Sequence, residues 1–195
     1  MPLDHADPSK GTIEVYAREL VTGSNYERRE KLPMFVFLQG GPGFQCARPT
    51  SSSSGWVGRA LTEYRVLLVD QRGTGRSTPV THETLGAMKD AEAQAQYLAN
   101  MRADSIVRDC EAIRTTLLGT DEKWTVLGQS FGGFCLVTYL SLAPHGLKAG
   151  LFTGGLPPIQ DEGCTADKVY DFTYQRMAAR SEKFYKRCLW PLIPA

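Results

Sequence analysis

Apolar and polar positions along the chain fall into two alternating rhythms. Gly11 to Leu20 sets Ile13, Val15 and Ala17 against polar neighbours, the two-residue period of a strand with one solvated face. Gly23-Ser24-Asn25 is turn chemistry, and a charged stretch prolongs the loop from there to Pro33. Met34-Phe35-Val36-Phe37-Leu38 is then apolar without interruption, as in a strand covered on both faces. Arg65 to Asp70, Trp124 to Leu127 and Ala149 to Gly154 read as further strands. Between them run helical stretches. Gly55 to Tyr64 suits a short helix, and Ala87 to Asn100 is rich in the helix formers Ala, Glu and Gln. Ile106, Cys110, Ile113 and Leu117 recur at helical spacing behind Asp104, the expected N-cap, until Gly119. Phe131 to Ala143 is apolar and helix-length, and Pro144-His145-Gly146 ends it. Thr165 to Arg187 reads as a long helix with Val169, Phe172, Met177 and Phe184 as its expected buried positions. Strands and helices alternate from Met34 onward, which predicts an α/β fold with a mostly parallel sheet and right-handed crossovers.

Composition narrows this picture. A chain of 195 residues, 42% hydrophobic and 22% charged, is ordinary for a globular protein with a real core. A net charge of +1 gives no reason to expect nucleic acid or an anionic membrane as partner, and Arg28-Arg29, interrupted at once by Glu30, reads as solvated surface. Met1-Pro-Leu-Asp-His lacks the basic-then-apolar order of a signal peptide, and no apolar run approaches the roughly 20 residues that span a bilayer. A cytoplasmic location is the expectation. The five cysteines are widely spaced with no Cys-x-x-Cys pair, so neither a disulfide framework nor a metal site is indicated, and Cys110 reads as a small core residue. Ser51 to Ser54 is a short low-complexity tract to which no mechanism attaches.

The chemistry concentrates in Gly128-Gln129-Ser130-Phe131-Gly132, which joins the Trp124 to Leu127 run to the Phe131 to Ala143 helix. Gly-x-Ser-x-Gly between a buried strand and a helix is the pattern of a nucleophile elbow, a strained turn that lifts the serine hydroxyl off the sheet. Ser130 is the candidate nucleophile. Gly128 and Gly132 leave space where strand and helix meet, and the Phe131 N–H stands at a helix N-terminus, where partial positive charge favours an oxyanion. Upstream, Gln39-Gly40-Gly41-Pro42-Gly43 follows the first buried strand. Alone it fits a plain Gly-Pro turn as well as an oxyanion loop; ahead of the elbow, the oxyanion loop is the better reading. Asp70 to Ser77 has a Gly-x-Gly but neither a third glycine nor a following lysine, so it reads as a structural turn beside the site rather than a nucleotide loop.

With Gln39 to Gly43, Asp70 to Ser77, Gly128 to Gly133 and Gly154 to Pro158 in this order, the chain resembles the proline iminopeptidase family of α/β-hydrolases, most closely its longer-chain branch. The likeness runs from Pro2-Leu3-Asp4-His5 to Thr173-Tyr174. It implies a serine peptidase releasing N-terminal proline from peptides without metal or cofactor, with Ser130 as nucleophile and the backbone amides of Gly41 and Phe131 as oxyanion hole. Gln39 stands where the shorter-chain branch has histidine. The resemblance also implies residues 1–160 as the first part of the hydrolase core and 161–195 as the start of a helical cap, the last strands, most of the cap, and the triad acid and histidine lying beyond. An esterase or amidase of the same fold acting on a small ester or amide, and a non-catalytic truncated product or interaction module, are the alternatives.

The residues themselves supply no base. His145, the sole histidine after Ser130, is fifteen positions further on, roughly 20 Å at about 1.5 Å per helical residue. His5 and His82 lie in polar, loop-like sequence and read as surface residues. Asp161 is a conceivable acid, yet a carboxylate acts here only by orienting a histidine. Little activity is therefore expected of this chain by itself.

Overall fold

A computed structural model describes residues 1–50, 55–155 and 166–188, with the side chains of Ala166 and Val169 left undescribed. The Ser51 to Ser54 tract, Pro157-Pro158, Asp161, Cys164 and the apolar C-terminal stretch from Trp190 lie outside the described residues. The chain divides into two units, Met1–Leu156 and Pro157–Ala195.

The first unit is built on five strands: β1 (Ala17–Leu20), β2 (Met34–Leu38), β3 (Arg65–Val69), β4 (Trp124–Gln129) and β5 (Leu147–Thr153). They form one sheet in the order β1-β3-β2-β4-β5, parallel except for β1, which runs antiparallel to β3. Among the described residues the α-helices accompanying it are α1 (Gly55–Ala60), α2 (His82–Gly86), α3 (Ala91–Ala99), α4 (Ala103–Leu118) and α5 (Phe131–Leu142). Every residue of β2 and β3 is buried, which explains their unbroken apolar runs: alternate side chains feed two cores on opposite faces of the sheet. Val36, Leu38, Trp124 and Val126 pack with Ile106 and Cys110 of α4 and Leu136 and Tyr139 of α5. Phe35, Phe37, Val66 and Leu68 pack on the other face with Ala60 and Leu61. Leu38 lies opposite Val69 and Gly128, and Gln129 opposite Thr153, so β2 to β5 end along one rim, where open α/β sheets place their ligands.

Several elements differ from the sequence reading. Of Gly11 to Leu20 only β1 joins the sheet. Upstream of it, Glu14 and Tyr16 donate their N–H groups to Thr78 Oγ1 and Ser77 Oγ, 2.8 and 2.9 Å away, so the end of the Asp70 to Ser77 turn and the residue after it take the bonds a strand ladder would use. The Ala87 to Asn100 helix begins at Ala91, where Asp90 caps the Ala93 N–H. Asp104 is no N-cap. Arg102 occupies that position, and Asp104 sits in the first turn, paired with Arg108 one turn on at 2.9 Å. Leu117, in the last turn of α4, is exposed. In the second unit the long helix is α6 (Ala166–Cys188); Phe172, Met177 and Phe184, read as buried, are each more than half exposed.

Candidate active site

The carboxyl ends of β2 and β4 lie side by side, and each continues directly into one of the two glycine-rich segments. Ser130 has φ 51° and is the one non-glycine residue with positive φ among those described, a conformation that costs about 1 to 3 kcal/mol and persists only when its surroundings impose it. Its N–H donates to Thr153 O at the end of β5 (3.1 Å), and its carbonyl accepts from Gly133 and Phe134 in the first turn of α5 (2.8 and 3.2 Å). The hydroxyl is left in solvent on an exposed residue.

Glycine is forced at this corner by contact distance. A Cβ on Gly132 would come within 1.9 Å of Leu38 O, and one on Gly128 within 2.4 Å of Gly132 O, so any side chain would push α5 off the ends of β2 and β4. Gly40 faces Ser130 itself: its Cβ would lie 2.9 Å from Ser130 Cβ and 3.6 Å from Oγ. The Gln39 to Gly43 loop therefore lies against the serine. Gly41 and Gly43 both have positive φ.

The Gly40 N–H is taken by the Gln39 side-chain oxygen at 2.9 Å, whereas the next N–H, that of Gly41, has no acceptor among the described residues. The Phe131 N–H, first of α5, is likewise without an acceptor there, one of the orphan donors at a helix start. A serine hydroxyl, a helix N-terminus and a spare loop amide thus share one corner, the arrangement needed to stabilise charge on an acyl oxygen.

Behind the loop, the Asp70 to Ser77 segment is the structural turn expected. Buried Gln71 donates to Gln39 O at 3.0 Å, and the Asp70 carboxylate accepts from the Cys46 and Arg76 N–H groups at 2.8 and 2.9 Å. Arg72, fully buried, makes a bidentate pair with Asp109 of α4 at 2.6 Å for each contact and also donates to Leu3 O and Asn100 O. His5 completes the cluster, its Nε2 2.8 Å from Asp109 Oδ1 and 2.9 Å from Arg72 Nη2. His5 is therefore no loose surface residue; a buried ion pair whose members lie 67 and 104 positions further along the chain holds it in place. The sequence signal for the pair is Asp109 itself, a carboxylate on the apolar stripe between Ile106 and Ile113. Nothing local announces Gln71.

None of the three histidines adjoins Ser130. His5 belongs to the Arg72 cluster, His82 opens α2 on the surface, and exposed His145 lies 3.4 Å from Glu111 past the far end of α5. Burial pushes the Cys46 and Cys135 thiols up to about 12 and Cys110 well above its ordinary value, so these cysteines are packing groups. No cluster of three potential metal ligands occurs among the described residues, and no described helix is long and apolar enough to cross a membrane.

A serine at a strand–helix elbow on the rim of a mostly parallel sheet, faced by a glycine loop, defines the α/β-hydrolase class. The sequence agrees: residues 33–187 match the alpha/beta hydrolase fold family, and the chain belongs to it. It is 50% identical over 188 residues to a proline iminopeptidase of Aeromonas sobria, a match covering 96% of this chain and 42% of that protein. A proline iminopeptidase of Aspergillus aculeatus is 38% identical over 192 residues, again 96% of this chain and 42% of the relative. The chain thus spans about two fifths of the length of these relatives. Among solved structures, a marine microorganism esterase shares the fold with a TM-score of 0.51 at 15% identity, over 88% of this chain and 51% of that one.

Proposed function

We propose that this chain carries the nucleophile and oxyanion hole of a serine aminopeptidase that releases N-terminal proline from peptides. The observation that carries the reading is the strained, solvent-facing Ser130 set against Gly40, with the Gly41 and Phe131 N–H groups spare beside it. Identity to the Aeromonas sobria enzyme over 96% of the chain supports the substrate class. In this reading Ser130 attacks the scissile carbonyl, and the two amides hold the oxyanion of the tetrahedral intermediate. Gln39 and Gln71 keep the loop in register. The site draws on no cofactor, and the protein works in the cytoplasm.

Such a serine needs a base. With His5, His82 and His145 all engaged elsewhere or remote, what this chain supplies by itself is the residual of about 10³ to 10⁴-fold over water that binding and an oxyanion hole leave. Release of 4-nitroaniline from prolyl 4-nitroanilide is the test. Turnover near background is expected, raised by added imidazole in the native sequence and not in Ser130→Ala. Turnover within tenfold of the Aeromonas sobria enzyme would contradict the missing base, and imidazole-stimulated cleavage of 4-nitrophenyl acetate with none of the prolyl amide would favour an esterase.

A further inference from the structure

Beside the Ser130 corner a cleft of about 650 Å³ opens between the Pro42-Gly43 end of the loop, the Gly73-Thr74 turn, the start of α4 and the first turns of α5. We propose that it binds the leaving side of a peptide substrate: an apolar side chain directly after the scissile bond and, further along, a terminal carboxylate held by Arg102. The proposal rests on the Ser130 reading above and adds to it the identity of the substrate's second residue.

The cleft wall begins at Pro42, Gly43 and Phe131, the residues that follow or carry the two spare N–H donors, so a carbonyl seated on those donors has the cleft as its neighbour. An N-terminal prolyl group is one five-membered ring with nothing before it, and it leaves most of such a volume unfilled. The rest of a peptide lies on the leaving side, and the volume is in the range of sites for ligands of that size.

Val80, Leu98, Met101, Ile106, Phe131 and Phe134 give the cleft its apolar character, and the Phe131 and Phe134 rings stack at 6.0 Å with 11° between planes to make a flat wall. Leu98 and Phe134 are 42% and 39% exposed, apolar surface that a bound side chain would remove from water. The polar groups of the floor are already engaged: Gln71 with Gln39 O, Arg72 with Asp109, and Thr74 Oγ1 with Gln71 O. Of the charged residues lining the cleft, Asp104 pairs with Arg108, and Arg102 alone has no ion pair among the described residues. Arg102, a cleft-lining cation that makes no close ion pair among the described residues although its charge also acts on Asp104, complements a residue that is apolar at its side chain and anionic at its end.

Equilibrium binding tests this without requiring turnover. Titration calorimetry on the 195-residue protein compares prolyl-leucine, prolyl-glycine and prolyl-leucinamide. Prolyl-leucine is expected to bind about tenfold more tightly than prolyl-glycine and several-fold more tightly than the amide, the sizes set by partial burial of one leucine and one half-exposed ion pair. Leu98→Asp, at an exposed position that leaves the core intact, and Phe134→Asp remove the leucine preference, whereas Arg102→Glu removes the carboxylate preference. Circular dichroism confirms that each variant is folded. Equal affinity for the leucine and glycine peptides, no measurable binding of either, or preferences that survive all three substitutions would overturn the proposal. Fluorophosphonate labelling of Ser130 in the unsubstituted protein reports on the nucleophile separately, so labelling without selective binding removes the cleft and leaves the catalytic reading standing.

Discussion

At the scale of single residues the site is defined by what cannot be added to it. Gly132 has room for no Cβ because Leu38 O occupies the space at 1.9 Å, and Gly40 is bare because Ser130 stands 2.9 Å from where its Cβ would be. The two glycines do different jobs, and substitution separates them. Gly132→Ala drives a methyl group into backbone and is expected to destabilise the fold by about 1 to 3 kcal/mol, read from urea unfolding. Gly40→Val crowds the serine more than the fold, and is expected to slow fluorophosphonate labelling of Ser130 by about 100-fold, the scale of a 1 Å misplacement at a reacting centre. Labelling at the parent rate would mean that the hydroxyl does not face the loop. The strain at Ser130 was legible in the sequence because Gly-x-Ser-x-Gly between a buried run and a helix has few other solutions. The capture of the Gly40 N–H by Gln39, which leaves Gly41 as the free donor, depends on a side-chain rotamer that no sequence pattern encodes.

At the scale of elements, the helices are fixed to the sheet by two buried polar clusters as well as by apolar packing. One is Arg72 with Asp109 and His5. In the other, Glu111 accepts two bonds from Arg114 at 2.9 and 2.8 Å and one from the Tyr139 hydroxyl, which in turn accepts from Trp124 Nε1 at 3.0 Å, tying α4, α5 and β4 together. Partial burial works to raise the Glu111 carboxyl, but the bonds from Arg114 and Tyr139 outweigh it and hold the group below the ordinary value of 4.5. A carboxylate depressed in the folded state contributes stability above its unfolded value and loses it as pH falls through the folded one. Denaturant midpoints should therefore fall as the solution is acidified below about pH 4.5, and Glu111→Gln should flatten that limb. An unchanged acid limb in the variant would assign it to other carboxylates. The strands and helix α4 were readable from periodicity, since burial on two faces or one stripe imposes it. Of the Arg72 cluster only Asp109, a carboxylate on the apolar stripe of α4, shows in the sequence, because Arg72 and His5 reach it from other parts of the fold; the Tyr139 and Trp124 contacts to Glu111 are hidden for the same reason, and Asp104, expected as a cap, pairs with Arg108 one turn on.

At the scale of the molecule, β1 and β5 are the two edge strands of the sheet among the described residues, and Leu151 of β5 is 47% exposed. Next to it the sheet face lined by Phe35, Trp56, Tyr64 and Leu127 is open as a groove of about 970 Å³. An unpaired, apolar edge strand invites pairing with another chain. Sedimentation velocity on the 195-residue protein is expected to show concentration-dependent association, reduced by Leu151→Lys; a monomer at all concentrations would show the edge to be protected.

The measurement that bears most directly on the whole account is the rate at which a fluorophosphonate modifies residue 130, followed by mass spectrometry on the folded protein, on the same protein in urea, and on Ser130→Ala. The corner of strained serine and spare amides is expected to give one adduct, on Ser130, forming about 10³-fold faster in the folded chain than in the unfolded one, and none in the alanine variant. Equal rates folded and unfolded, or an adduct that persists in Ser130→Ala, would contradict it.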